Sequence, residues 1–189
     1  FVRVEGIVVA KTVSAKYGNA QIYIQDETGG IQAYRATGDD ANAVNVGDLV
    51  IWEGNVTTYQ GMNQFAKPSD TVKNQLVAVV EEAAGLPNPI AIEEKADLAT
   101  AKLQLASVTG FLKETYATFE QSKYYKFVLA TGEEVEFRIV SLNDSSEANV
   151  NAIINKLTGK AAGTEITITS VVANASTPYF LITDADQLT

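Results

Sequence analysis

The chain has 189 residues, of which 46% are apolar and 20% charged, and its formal net charge is −9. It has no cysteine and no histidine, which excludes disulfides, Cys/His zinc sites and catalysis by a histidine-dependent triad. Its 14 basic residues form no cluster, which makes nucleic acid a less favoured partner, and without a long apolar run we expect no membrane insertion.

The first 11 residues are predicted to form a β-strand. Val2, Val4 and Val8 share one face of the extended chain, and β-branched side chains favour that conformation. Gly6 lies between Val4 and Val8 on the same face, and a glycine inside a strand is typical of a bulge or a sharp bend.

The segment QIYIQDETGGIQAY, residues 21–34, is predicted to form two strands joined by a tight turn. Gly29 and Gly30 supply the positive φ angles that short hairpins need, and Asp26 can accept hydrogen bonds from the backbone amides that follow it. A metal or acid/base site would need more partners than Asp26 and Glu27, and the segment lacks calcium-loop spacing. A turn therefore accounts for every residue.

Three further elements complete the first half of the chain. The segment VNVGDLVIWEGNV predicts a turn at Gly47 and then a strand that is apolar on both faces, which is typical of a central position. A loop or hairpin is predicted at Gln60–Gly61, and NQLVAVVEE predicts another short strand. Pro87 and Pro89 then indicate an extended linker, so we predict domains at residues 1–84 and 103–189 with a linker at 85–102.

The second half repeats the pattern of the first. VTGFLKE matches VEGIVVA, which aligns Gly110 with Gly6, and AGTEITITSVV matches VGDLVIWEGNV, which aligns Gly163 with Gly47. The second copy holds about 12 additional residues between these glycines. They are predicted to form a helix, with a cap at Asp144, a closing turn at Gly159 and one apolar face made of Val150, Ile153, Ile154 and Leu157.

Five short strands with a helix after the third describe a small Greek-key barrel, so the predicted fold is mainly all-β, with two tandem five-stranded barrels. On VEGIVVA, IYIQDETGGIQAY, VGDLVIWEGNV and YFLITDADQL, the chain resembles the OB-fold (oligonucleotide/oligosaccharide-binding fold) modules found in tandem in exported or envelope proteins of anaerobic gut bacteria. The resemblance implies an exported, envelope or cell-surface protein, in which such modules accompany nuclease-like or carbohydrate-active domains.

OB-folds bind ligands on the outer face of their second and third strands and on the adjoining loops. Tyr23 and Tyr34 are out of phase with the apolar positions of those strands, so they are predicted to face outward, with Tyr17 and Tyr59 in flanking loops. These four tyrosines are our candidate ligand-binding residues, because tyrosine rings stack on bases and sugars. Alternatively, they pack across strands or cover the linker or the second domain.

The second copy carries a similar outer face. Tyr124, Lys126, Glu136 and Arg138 are predicted to lie there, with Tyr116 and Phe119 in the first loop, and the opposite charges indicate cross-strand pairing.

We expect no enzyme and no cofactor, because neither a phosphate-binding loop nor a catalytic set is present, and the paired acidic residues are typical of solvated turns. The function predicted first is a binding or interaction module of an exported bacterial protein, with a glycan or a peptide as ligand. A single-stranded nucleic-acid module and a structural spacer beside another domain are the alternatives.

Overall fold

The structure is a computed structural model that describes residues 1–173 and 176–189. The first sheet has seven strands: β1 (Val2–Ser14), β2 (Asn19–Gln25), β3 (Gly30–Thr37), β4 (Leu49–Gly54), β5 (Val56–Tyr59), β6 (Met62–Phe65) and β7 (Asn74–Glu81). A short helix, α1 (Gly38–Ala43), follows β3. The second sheet has six strands: β8 (Ile90–Ile92), β9 (Leu105–Leu112), β10 (Tyr124–Val128), β11 (Glu134–Ile139), β12 (Glu165–Ala173) and β13 (Tyr179–Ile182). Its helix, α2, spans Glu147–Leu157, and 3-10 turns lie at Lys95–Ala99 and Ala185–Gln187.

The second sheet closes into a five-stranded barrel. The strands follow the order β9, β10, β11, β13, β12 and return to β9, with β11 and β13 parallel and the other pairs antiparallel. This Greek-key order, with α2 between the third and fourth barrel strands, is that of an OB-fold. The predicted fold class, mainly β with two barrels of OB type, is confirmed.

The first barrel differs from the second at the position of the fifth strand. In the second barrel, the single strand β13 pairs with both β11 and β12. In the first barrel two strands share this position: β6 pairs in parallel with β3, and β7 pairs with β4. A hairpin of β5 and β6 therefore extends from this sheet, and it turns at Gln60 and Gly61, as the sequence predicts. The apolar strand β4 lies between β1 and β7.

One asparagine joins the two parts of this divided barrel. Asn74, at the start of β7, accepts a hydrogen bond from Trp52 Nε1 at 2.8 Å. Its amide nitrogen donates to the carbonyl oxygens of Tyr34 at 2.9 Å and Ala66 at 3.0 Å. The side chain is buried, so it satisfies polar groups that water does not reach.

The same steric constraint explains why the matched strand positions, Gly6 and Gly110, are both glycine. A Cβ on Gly6 would lie 2.6 Å from the carbonyl oxygen of Gln25, and one on Gly110 would lie 2.7 Å from that of Val128. Both positions therefore allow the second barrel strand to approach the first. The bulge expected near Gly6 lies further along β1, where the pairing with β2 skips Val9.

The second pair of matched glycines makes equivalent backbone contacts. The Gly47 amide donates to the carbonyl of Val8, and the Gly163 amide donates to that of Leu112, both at 2.8 Å. Each contact connects the turn before the fourth barrel strand to the first strand. The match between Gly47 and Gly163 in the sequence thus corresponds to the same backbone hydrogen bond in both barrels.

The turn between β2 and β3 is confirmed. The Asp26 carboxylate accepts hydrogen bonds from the Thr28 amide at 2.7 Å, the Thr28 hydroxyl at 2.6 Å and the Gly29 amide at 3.0 Å. These hydrogen bonds lower the pKa of Asp26, and the bond from the Thr28 hydroxyl has the largest effect. Gly29 has a positive φ of 156°, whereas Gly30 does not, so the expectation for Gly30 was wrong.

The helix predicted in the second barrel is present, but its cap differs from the prediction. Ser146 is the N-cap and accepts a hydrogen bond from the Asn149 amide at 3.2 Å. Asp144 instead accepts a hydrogen bond from the Ser141 hydroxyl at 2.7 Å. The helix buries Val150, Ile153 and Leu157 in the barrel core, with Ile154 partly buried beside them.

Part of the segment predicted as a linker belongs to the second sheet. Strand β8 pairs in parallel with the first half of β9. The 3-10 turn that follows it buries Leu98 in the core of the second barrel. Ordered contacts with the second barrel therefore begin at residue 90.

The two barrels pack directly against each other. A buried apolar cluster joins Ile7, Val9, Ala10, Tyr23 and Met62 of the first barrel to Leu103, Leu105, Val171, Ala173, Tyr179 and Leu181 of the second. Hydrogen bonds between described residues cross the same boundary, from the Leu105 amide to the Gln25 side chain at 2.7 Å and from the Val13 amide to the Asp144 carbonyl at 2.9 Å.

Candidate ligand-binding surfaces

The structure places Tyr23 under the second barrel. The side chain points away from the core of the first barrel, as predicted, but it is only 4% exposed because the second barrel covers it. Its hydroxyl accepts a hydrogen bond from Gln32 at 3.0 Å, and burial raises the pKa of Tyr23 well above its ordinary value. Strand alternation predicts which side of a sheet a residue occupies, but it does not reveal what covers that side.

The neighbours of Tyr23 on the same face are also buried. Gln25 and Gln32 are 7% and 4% exposed, and the Gln25 side chain accepts the hydrogen bond from the Leu105 amide. The outer face of β2 and β3, where OB-folds bind ligands, is therefore largely occupied by the second barrel.

Tyr34 is partly exposed and lies in a β-bulge. The pairing of β2 and β3 shifts so that Tyr34 and Arg35 together oppose Gln21. Arg35 adopts a φ of 53°, and its guanidinium lies 5.2 Å from the centre of the Tyr34 ring. The extra residue allows Ala33 and Ala36 to point into the same core.

Tyr17 and Tyr59 are the exposed members of the predicted set, at 59% and 57%. Tyr17 lies in the loop after β1, with the Lys16 ammonium 5.1 Å from its ring centre, and Tyr59 ends β5. Within residues 1–173 and 176–189, the ring–ring contacts all lie in the second barrel, so no two of the four tyrosines stack. Their role in ligand binding stays a prediction.

The equivalent face of the second barrel is open. Three cross-strand pairs line it: Tyr124 with Arg138, Lys126 with Glu136 and Val128 with Glu134. Tyr124 is 51% exposed; its ring makes a T-shaped contact with Tyr179 at 5.0 Å between ring centres, and the Arg138 guanidinium lies 5.6 Å from the ring centre. These contacts hold the orientation of the ring while about half of the side chain stays exposed.

A groove of about 450 Å³ lies at the other end of this face. Lys126, Glu134 and Glu136 form its floor, and its walls are the 3-10 turn at Lys95–Ala99 and the loop residues 176–178. We call the outer face of β10 and β11, together with this groove, the β10–β11 surface. Its floor and walls come from four separate segments of the chain, which is why sequence patterns did not reveal the groove.

The charges on the β10–β11 surface largely neutralise one another. Glu134 forms ion pairs with Lys113 at 2.6 Å and Lys126 at 3.2 Å, and the hydrogen bond from Lys113 is the main reason that the pKa of Glu134 is lowered. The predicted opposition of Lys126 and Glu136 is present in the strand register, but Lys126 pairs with Glu134 instead. The surface is therefore polar and mixed in sign rather than basic.

The acidic pairs singled out in the sequence include structural hydrogen-bond acceptors. Asp40 accepts the Leu76 amide at 3.1 Å, which connects α1 to β7, and Glu133 accepts the Lys95 amide at 2.9 Å. Among the described residues, no cluster of acidic side chains is suited to hold a metal ion. Across the same residues, no helix is long and apolar enough to cross a membrane.

Comparisons with known proteins do not assign the chain to a family. No family model matches it, and no curated protein matches it. Among solved structures, it is similar to a replication protein A heterotrimer bound to ssDNA, with 10% identity over 96% of this chain and a TM-score of 0.37. It is also similar to the tetrameric p202 HIN2 domain, with 10% identity over all of this chain, 91% of that chain and a TM-score of 0.38.

A third similar structure is a murine DNA-binding protein bound to double-stranded DNA, with 13% identity, 96% of this chain, 94% of that chain and a TM-score of 0.39. The chain spans 46% of the replication protein A chain that it matches.

Proposed function

We propose that the chain is a non-enzymatic binding module and that its ligand, a glycan or a peptide, lies on the β10–β11 surface. The observation that carries the proposal is the difference between the barrels. The face that OB-folds use is covered in the first barrel and open in the second, where an exposed tyrosine lies at one end of the face and a groove at the other.

The chemistry of the surface favours a ligand of low charge. Tyr124 offers a ring face for stacking on a sugar or an apolar side chain. The carboxylate of Glu136, at the floor of the groove, forms no hydrogen bond or ion pair with any described residue, so it is available to hydroxyl or amide donors. The unpaired carboxylate of Glu136 would repel a phosphate in the groove, whereas the charge of Glu134 is neutralised by Lys113 and Lys126.

Two wider proposals accompany this function. The resemblance supports an exported protein of the bacterial envelope or surface, and the matched glycine contacts support the origin of the barrels as two copies of one module. The four tyrosines of the first barrel serve as a second ligand surface only where they are exposed, at Tyr17, Tyr59 and part of Tyr34.

Single-stranded nucleic acid is the competing ligand, and one observation favours it. The Arg138 guanidinium beside the exposed Tyr124 ring is an arrangement that single-strand-binding proteins use for stacked bases. The net charge of −9 and the neutralised lysines oppose it. A spacer without a ligand is the remaining alternative.

The test measures binding of three labelled probes by fluorescence anisotropy: a mixed-sequence single-stranded oligonucleotide at low salt, neutral oligosaccharides and a library of unstructured peptides. Tyr124→Ala is the test variant, and Tyr17→Ala is the control because both rings are about half exposed. We expect a glycan or peptide to bind and Tyr124→Ala to weaken it by roughly tenfold, as for the loss of one stacked ring.

Three other outcomes would contradict the proposal. Salt-sensitive oligonucleotide binding that Tyr124→Ala removes would establish the nucleic-acid alternative. Loss of binding in Tyr17→Ala alone would return the site to the first barrel. No binding to any probe would leave the spacer as the function.

A further inference from the structure

Strand β5 has an open edge, and it differs from the other strands at which the sheets end. In the described part of the chain, the two sheets end at β5, β7 and β8. Strand β7 has two irregularities in its pairing with β4, and the Asp40 carboxylate already accepts the Leu76 amide. Strand β8 has three residues and lies between Pro89 and Glu93. Bulges, prolines, charges and occupied amides all hinder the addition of a further strand to these edges.

The edge of β5 carries none of these features. Its pairing with β6 is regular, and its four residues, VTTY, are all exposed and of types that favour β-strands. Residues 54–66 contain no charged side chain, although 20% of the chain is charged and its net charge is −9. The β5–β6 hairpin is therefore a place where two copies of this acidic chain can meet without bringing like charges together.

The turn of the hairpin determines which residues of β5 bond to β6. Gln60 and Gly61 have φ angles of 48° and 78°, so a two-residue turn of type I′ joins the strands. Tyr59 and Met62, which flank this turn, exchange main-chain hydrogen bonds, and every second pair further from the turn does the same.

The residues between these pairs have their backbone groups directed outward. The Ala66 amide donates to the Asn55 carbonyl at 2.8 Å, which agrees with the alternation that begins at the turn. Val56 and Thr58 are the intervening positions, so their amides and carbonyls point away from β6. No described strand lies beyond them. The edge thus offers two donors and two acceptors to an added strand.

We propose that two copies of the chain form a symmetric dimer in which β5 pairs antiparallel with β5 of the second copy. In the register that uses both outward residues, Val56 lies opposite Thr58 of the second copy, and Thr58 opposite Val56. Each of these two pairs exchanges two hydrogen bonds. The two seven-stranded sheets then form one continuous sheet across a two-fold axis.

Thr57 lies on the axis of this dimer, opposite Thr57 of the second copy. This is a non-hydrogen-bonded position of the ladder, where opposing side chains are closest. Two threonines at such a position stabilise the pairing through their hydroxyls and methyl groups. The sequence of β5 is therefore complementary to itself.

The dimer is expected to be weak. Four residues from each copy bury far less than the roughly 1,600 Å² of a standard interface, and the net charge of −9 on each copy opposes association. We expect a dissociation constant of about 10 to 300 µM that decreases when salt screens the repulsion. The pairing uses residues of the first barrel alone, so the dimer would carry two copies of the β10–β11 surface.

The experiment is sedimentation velocity on the full chain, at concentrations from about 5 µM to about 1 mM and at low and high salt. We expect a monomer that becomes a dimer as concentration rises. Amide hydrogen exchange locates the contact: protection of Val56 and Thr58 should increase with concentration. The Thr57 and Tyr59 amides already bond to β6, so their protection should change little.

Charge variants at Thr57 test the register. Thr57→Lys and Thr57→Glu each place two like charges on the axis, so each variant alone should associate at least tenfold more weakly. An equal mixture of the two should dimerise again, because a lysine then lies opposite a glutamate. Thr57→Lys reduces the net charge from −9 to −8, so overall repulsion cannot explain its loss of association. Thr71→Lys, at an exposed threonine before β7, is the matched control and should dimerise normally.

The proposal is overturned if the chain stays monomeric throughout, or if Thr57→Lys associates as strongly as Thr71→Lys. A mixture of the two charge variants that stays monomeric would also overturn it, because Thr57 would not lie opposite itself. An extended peptide that binds β5 of a chain without self-association would assign the edge to a different partner. Tyr124→Ala should dimerise normally, since the dimer and the β10–β11 surface can each fail without the other.

Discussion

Gly30 lies against the carbonyl group of Leu103, so closely that a Cβ on Gly30 would be 2.2 Å from the Leu103 oxygen. Gly30 begins β3 in the first barrel, and Leu103 precedes the first barrel strand of the second. The glycine therefore permits the contact between the barrels, in addition to ending a hairpin turn.

Replacing Gly30 by alanine should loosen the contact between the barrels. The methyl group has no space beside the Leu103 carbonyl, and overpacking of this kind costs about 1 to 3 kcal/mol. Hydrogen exchange should be faster at the Leu105 amide, which donates across the boundary to Gln25. Glu27→Ala, at an exposed position of the same turn, is the control. Unchanged exchange and stability in Gly30→Ala would show that the barrels do not pack as described.

Alkaline pH should weaken the same contact through Tyr23. Burial raises the pKa of Tyr23, so the folded chain keeps its proton at a pH where the unfolded chain loses it. The stability that protonated Tyr23 contributes is fully present below the tyrosine pKa of the unfolded chain, roughly 10, and falls as the pH rises above that value. Melting temperature measured from pH 8 to 11 should decline less steeply in Tyr23→Phe. Parallel curves for the two proteins would contradict burial of this hydroxyl, and Tyr17→Phe is the exposed control.

Asn74→Ala should destabilise the first barrel. The change leaves Trp52 Nε1 and two backbone carbonyls without their partner, and losing partners at buried groups costs about 2 to 4 kcal/mol in total. Urea unfolding followed by the fluorescence of Trp52, which is the single tryptophan, measures this directly. Asn63→Ala, exposed on β6, should have little effect. Equal midpoints for both variants would rule out the bridging role of Asn74.

Alanine at Gly6 should cost more stability than alanine at Gly38. A methyl group on Gly6 would overlap the Gln25 carbonyl, whereas Gly38 has open space and only a φ of 67° to oppose substitution. We expect about 2 to 3 kcal/mol for Gly6→Ala and about 1 kcal/mol for Gly38→Ala. Chemical unfolding of both variants tests the order, and a larger loss for Gly38→Ala would refute the steric explanation.

Much of the fold follows from local patterns in the sequence. Period-two alternation predicts β1 to β3, because one face of each strand must be buried, and a short run that is apolar on both faces predicts the central strand β4. The spacing of Val150, Ile153 and Leu157 predicts α2 for the same reason at helical period. Gly6 and Gly110 could be matched because close strand approach permits no side chain at either position. These features depend on neighbours along the chain or within one sheet.

The surfaces available to a ligand were decided only by the tertiary structure. The sequence shows that Tyr23 points away from its own barrel core, but the second barrel, whose first strand begins at Leu105, determines that Tyr23 is buried. The groove of the β10–β11 surface likewise combines residues that are far apart in the chain. Alternation identifies the side of a strand, whereas cover and concavity arise from the packing of whole barrels, which no local pattern encodes.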